Sequence, residues 1–305
     1  MRFRNIGFAT TSSYSGMYSN TEVDFRIRTG IWTLPPPPPP VTLFTSTGTF
    51  SAGGTMVTGR NYHMAAGNAS VSTAFIFGGD DNVNTSEAYN GSSWSSKNNL
   101  NTGRGEGMGS GTGTAALAIA GYLVSTVETY NGSTWSINAN NYTLDRRGGA
   151  AGTSTATISC GGDTYGTSTV TFNGSTWSSG GSLSTSRFLN GTCGNTTAAL
   201  TAGGYDVITS SEKYNGTSWA SAGNLNTGTG PSNAVLGVTT NAIIMGGYAG
   251  ITTCEFYNGS SWTTTTNSLT TGRWATAACG SVTNSTTAII TGGAGSLNST
   301  EIYTC

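Results

Sequence analysis

The chain has 305 residues, a net charge of −1, 46 glycines, 10% aromatic residues and only 8% charged ones. Disordered chains are charged and poor in aromatics, which excludes that class here. The 12 basic residues are scattered, with no stripe interleaved with aromatics, so no nucleic-acid partner is expected.

Residues 1–34 come first and share no pattern with the rest. They carry Arg2, Arg4, Arg26 and Arg28 against Glu22 and Asp24. Residues 22–34 alternate apolar and polar side chains in the manner of one strand. Arg2 and Arg4 imitate the start of a signal peptide, but residues 5–13 supply no continuous apolar core, so none is expected. No run is long and apolar enough for a membrane span, and no membrane insertion is expected. The segment has too little apolar material to fold alone. Phe3, Phe8, Tyr14, Tyr18, Phe25, Ile31 and Trp32 nevertheless make it too apolar for a solvated tail. It reads as a docking arm that becomes ordered on a partner. Residues 35–40 are all proline, which favours an extended polyproline spacer of roughly 3 Å per residue.

Residues 41–305 are built from one unit said again and again. The phrase Tyr-Asn-Gly-Ser-Ser-Trp at 89–94 returns, with one or two changes, at 130–135, 172–177, 214–219 and 257–262. Its tryptophans, at 94, 135, 177, 219 and 262, are spaced by 41, 42, 42 and 43 residues. A fixed period of that length marks one supersecondary unit copied along the chain. Asn-Gly between an aromatic and a Ser/Thr run predicts a two-residue type I′ hairpin tip. Before each tip an apolar run closes on a small pair, at 78–79, 120–121, 161–162, 203–204, 246–247 and 292–293. After each Trp comes a Leu-Asn-Thr-Gly-Arg mark, at 100–104, with echoes at 183–187, 225–229 and 269–273. Each unit is therefore expected to be four strands.

Both ends of this region are incomplete, and they complement each other. Phe50 precedes Met56 as Trp94 precedes Leu100, and residues 56–60 repeat the mark that ends in Arg104. Residues 41–55 thus read as an outer strand without its inner three. The last repeat runs through Gly292, Gly293 and Tyr303 and stops before any tip or Trp. The N-terminal strand completes it, which predicts six closed units and a ring without open edges.

The order Arg, Gly-Gly, Glu-x-Tyr, Trp resembles the kelch repeat, a family of β-propellers with four-stranded blades. The expected fold class is all-β: a six-bladed kelch-like β-propeller over 41–305. Its departures are a shorter period, Thr229 for one Arg, Val170 for one Glu and Ala120 for one Gly. The Asn-Gly-Ser-Thr-Trp phrase is also similar to repeats encoded by tailed phages, notably marine cyanophages, where such propellers occur among virion structural proteins. That resemblance implies a virion location and, through residues 1–34, other virion proteins as partners.

Little in the sequence points to catalysis, a metal or a cofactor. A copper site like that of kelch-like oxidases needs several imidazoles, and the chain has one histidine, His63. It is expected to be structural. The sialidase turn places Asp five residues before Trp, where Tyr89, Tyr130, Phe172, Tyr214 and Tyr257 stand here. A glycosidase needs two carboxylates across a cleft. Glu87, Glu128, Glu212, Glu255 and Glu301 instead recur once per unit, as parts of the blade. Arg60, Arg104, Arg187 and Arg273 read as ties between outer and inner strands. The five cysteines have no metal-like spacing and read as small hydrophobes. A possible ligand rim follows the glycine marks: Asp80, Asp81, Tyr122, Asp163, Tyr165, Tyr205, Asp206 and Tyr248. Tyrosine suits such a surface because it buries a rigid ring and keeps a hydroxyl. The expected function is a non-enzymatic virion structural protein. The alternative is a carbohydrate-binding propeller for host-surface glycans, and a propeller glycosidase or oxidase ranks third.

Overall fold

Four strands form in every repeat because four β-favouring runs are cut apart by glycine pairs, Asn-Gly phrases and Thr-Gly turns. The computed structural model describes residues 44–67, 70–139, 142, 147–163, 166–230, 234–280 and 287–305. The docking arm and polyproline spacer, with all seven arm residues from Phe3 to Trp32, lie outside them. The described strands make six four-stranded antiparallel sheets arranged as blades, so the chain is an all-β six-bladed propeller. Blade 2 shows the pattern: inner strand Met108–Thr112, then Ala115–Gly121, Val124–Tyr130 and outer strand Trp135–Asn138. The second strands are buried on both faces, as in Phe75–Phe77, because each lies between neighbouring blades. Outer strands bury little beyond the leading Trp, as in Trp94–Lys97.

The ring closes as the sequence predicts. Thr49–Ala52 pairs antiparallel with Thr300–Thr304, placing Phe50 opposite Tyr303 as Trp94 lies opposite Tyr89. Their ring centroids are 4.9 Å apart, against 5.1 Å for Tyr89 and Trp94. Phe50 is only partly buried, less than an outer-strand Trp such as Trp94.

The hairpin tips differ from the expected type I′ turn. Four residues separate the paired Tyr89 and Trp94, and of Asn90 and Gly91 only the glycine has positive φ, at 98°. Asn90 closes the loop with its side chain, Oδ1 accepting from the amides of Ser92 (3.0 Å) and Ser93 (2.9 Å). Asn131, Asn173, Asn215 and Asn258 do the same. An Asx turn satisfies two loop amides at once, which a bare two-residue turn of this length would leave to water.

The repeated arginines staple one blade to the next. The segment carrying Arg104 hangs on blade 1 through its own amide, which donates to Val83. Its guanidinium crosses into blade 2, donating to the carbonyls of Ala120 and Thr126, to Thr126 Oγ1 and to Glu128 Oε1 at 2.5 Å. Glu128 in turn accepts from the amides of Asn101 (2.7 Å) and Thr102 (3.0 Å). Arg60 with Glu87, Arg187 with Glu212 and Arg273 with Glu301 repeat the device, all with fully buried guanidiniums. Where Thr229 replaces the arginine, Glu255 keeps its amide bonds to Asn226 (2.8 Å) and Thr227 (2.7 Å). Where Val170 replaces the glutamate, that position is apolar and buried.

Cys160, Cys193, Cys254 and Cys279 are buried and unpaired, as small hydrophobes. Burial pushes the thiols of Cys193, Cys254 and Cys279 up to about 12, so they stay neutral and unreactive.

His63 is also structural. Thr291 Oγ1 donates to the carbonyl of Ala277, so it accepts from His63 Nε2 at 2.8 Å. Nδ1 then has no partner and faces Gly292, where protonation would bury an unmatched N–H. Burial, with Arg60 adding to it, holds the imidazole well below its usual pKa. The folded pKa is depressed, so the contribution is present above the unfolded value near 6.5 and is lost as pH falls below it. Stability should drop by up to about 1.4 kcal/mol per pH unit under pH 6.5. Denaturant titrations at stepped pH check this, and His63→Asn should flatten the slope; an unchanged slope would refute the assignment.

Candidate functional site: the loop-face rim

Antiparallel blades sort their connections onto two faces. The turns joining first to second and third to fourth strands share one, here the turn face. The loops after the glycine pairs and the crossings between blades share the other, the loop face. Backbone bonds confirm the second grouping: the amides of Asp80, Tyr122 and Tyr205 donate to Asn61, Gly105 and Phe188, each in a crossing segment. The rim residues predicted from sequence therefore lie beside the crossings that follow the arginine marks. Tyr165 lies outside the described residues.

The crossings form the throat of the central channel. Glu106 donates its amide to Tyr62, Arg147 to Glu106, Leu189 to Arg147 and Tyr62 to Ala275. All five residues adopt left-handed backbone, with φ between 47° and 64°. Below this ring the inner strands line a cavity of about 140 Å³. Glycines predominate there because the strands crowd: a Cβ on Gly109 would lie 2.3 Å from the carbonyl of Ala65.

Side chains converge above the throat in a continuous arc. Tyr248 meets Trp274 edge-on at 5.4 Å, and Trp274 meets Tyr62 at 5.9 Å. Beyond Tyr62 lies an open cleft of about 280 Å³ lined by Asp80, Asp81, Asn82, Gly105, Glu106 and Tyr122. Arg147 grips Glu106 with two bonds of 2.6 and 2.8 Å and reaches Asp163 at 3.4 Å. Tyr205 stacks on Phe188 at 4.6 Å in blade 4, where Asp206 is exposed. Burial and then the Glu106 and Asp80 carboxylates push the Tyr62 phenol up to about 12, keeping it a donor. Asp80 is raised by burial first, then by Glu106 and Asp81.

The structure thus joins Asp80, Asp81 and Tyr122 in one cleft, Asp163 to Arg147, and Tyr248 to the aromatic arc. Sequence reasoning missed Tyr62, Glu106, Arg147, Phe188 and Trp274. The period could have found most of them: Tyr62 and Glu106 stand two residues after Arg60 and Arg104, and Phe188 and Trp274 stand one after Arg187 and Arg273.

The turn face is chemically different. None of its described turns carries Asp, Glu, Lys or Arg; Ser, Thr, Asn and Gly make up most of them, and the Lys213 ammonium reaches them, donating to the Gly259 carbonyl. The described chain enters the propeller there. Phe44 exchanges bonds of 2.9 Å with the side chain of Asn241, which starts the second strand of blade 5.

Among the described residues no cluster of His, Cys, Asp or Glu could hold a metal ion, and no helix is long and apolar enough to cross a membrane. In comparison with known proteins, no family model matches the chain, and no curated protein matches it.

Proposed function

We propose that this chain is a non-enzymatic structural protein of a virion, of the kind seen in tailed phages, that docks through residues 1–34 and displays its propeller. The observation that carries the reading is the entry point of the chain: Phe44 is clasped on the turn face, opposite the rim. The described turns on that face carry no acidic side chain, whereas the acidic and aromatic rim residues lie on the opposite face. The repeated charges support a scaffold role, since each stapling guanidinium is buried inside the propeller and bonded there to a glutamate and to strand carbonyls. The kelch-like order of marks agrees with a display fold.

A second reading is capture of host-surface glycans by the rim. Tyr122, Tyr205 and Tyr248 are 47%, 42% and 50% exposed and offer rings for stacking on sugars.

The test of the first reading is removal of residues 1–34. The shortened protein should melt at the same temperature as the full chain yet be absent from purified particles. Incorporation without the arm would overturn the reading, and so would protection of the arm from protease in the free protein.

A further inference from the structure

We propose that the loop face is a docking surface for a protein segment carrying lysine or arginine beside apolar side chains. Three features of the face point to that partner.

The first is apolar exposure of a mixed kind. Among the described residues, five of the seven exposed large hydrophobics fall in the loops after the glycine pairs: Tyr122, Leu123, Tyr205, Val207 and Tyr248. Leu123 is 81% exposed. A sugar stacks on an aromatic ring but gains little from an isolated leucine or valine. A peptide uses both, because its side chains include aliphatic groups that lose water on contact.

The second is charge. Asp80, Asp81, Glu106, Asp163 and Asp206 stand on this face against Arg147 alone among the described residues, five carboxylates to one guanidinium. Arg147 is itself held by Glu106 and Asp163, so the described residues of the face are net negative. The turn face has no acidic residue in its described turns, and the Lys213 ammonium donates to the Gly259 carbonyl there at 3.1 Å. The field is therefore directed outward from one end of the ring, and it favours a cationic partner over a neutral one.

The third is arrangement. The acidic cleft of Asp80, Asp81 and Glu106 borders Tyr62, the end of the aromatic row that runs through Trp274 to Tyr248. A cation in the cleft would lie among these carboxylates and beside Tyr122, which lines it. The neighbouring apolar side chain of the same segment then covers the row. This partner deepens the display reading but is measured on the free protein, so either can fail alone.

The experiment pans a random dodecapeptide library on the immobilised full chain, with a glycan array run in parallel. Enriched peptides should combine net positive charge with aromatic or aliphatic residues. One such peptide, synthesised, should bind on the order of tenfold more weakly to Asp80→Asn/Asp81→Asn and to Tyr248→Ala. Its affinity should also fall in about 0.5 M sodium chloride. Asp81 and Tyr248 are exposed, so wild-type melting of the single variant Asp81→Asn and of Tyr248→Ala serves as the folding control. Thr114→Ala on the turn face should change nothing. Uncharged or acidic enriched peptides, or basic ones that bind the rim variants undiminished, would overturn the proposal. So would a rim-dependent glycan signal without peptide enrichment, which would establish the sugar reading in its place. Absence of both signals would overturn both rim readings and leave the arm-dependent display role standing.

Discussion

A protein lacking residues 41–52 should fail to accumulate as soluble material and should aggregate when refolded. These residues supply the outer strand of blade 6, the strand pairing that ties the start of the ring to its end. Without Thr49–Ala52, the strand Thr300–Thr304 presents a full row of unpaired backbone groups, a template for pairing with other chains. The side chains lose as much. Tyr303 is fully buried beneath Phe44 and Phe50, and its hydroxyl accepts from the Gly48 amide at 3.0 Å while donating to the carbonyl of Thr45. Removing the segment opens that ring and hydroxyl to solvent and breaks the clasp between Phe44 and Asn241. Phe50→Ala is the milder version. Its ring is only partly buried, so the cost should be about 2 kcal/mol, below the range for a fully buried phenylalanine. Light scattering and soluble yield report the deletion, and denaturant midpoints report the point variant. A soluble, equally stable truncation would rule out the pairing.

Arg104→Ala should be the most destabilising single substitution of a charged residue, by about 3–5 kcal/mol, a large share of a typical domain's stability. The guanidinium is fully buried, and its removal leaves the Glu128 carboxylate buried without a counter-charge. It also strips donors from the carbonyls of Ala120 and Thr126 at the seam between blades 1 and 2. Arg147 is the control. Its pair with Glu106 is part-exposed, with side chains at 26% and 13%, so Arg147→Ala should cost no more than about 1 kcal/mol. Unfolding midpoints of the two variants decide the matter; equal, small losses would show that the staples are not what joins the blades.

The staple between Arg187 and Glu212 also predicts acid lability. Desolvation raises the Glu212 carboxyl, but bonds from the amide and hydroxyl of Ser184 and the amide of Thr185 outweigh it, leaving the pKa lowered. A depressed carboxyl stabilises the fold above the unfolded value near 4.3 and loses that contribution as pH falls through the folded one. Stability should therefore decline further below about pH 4, beyond the loss that His63 brings on from pH 6.5.

Most features that recur with the blade were legible in the sequence. The spacing of Trp94, Trp135, Trp177, Trp219 and Trp262 announced the blades, Phe50 and Tyr303 announced the closure, and the recurring Arg and Glu announced the scaffold. Such features repeat because each blade meets its neighbour at the same phase, so one interaction is written out several times along the chain. The hairpin tip was legible as a loop but not in its chemistry: Asn-Gly fits either a type I′ turn or an Asx turn, and the register of Tyr89 against Trp94 decides. The rim was half legible. Asp80, Tyr122 and Tyr248 stood out after the glycine pairs, but their partners Glu106, Arg147 and Trp274 did not, because the residue type at each of those positions changes from one repeat to the next and only the position relative to the arginine mark recurs. Tyr62 and Trp274 stand at opposite ends of the repeat array and become neighbours only when the ring closes. The two faces, one acidic and apolar and one without carboxylates in its described turns, likewise exist only in three dimensions, since alternate connections along the chain are carried to opposite ends of the blades.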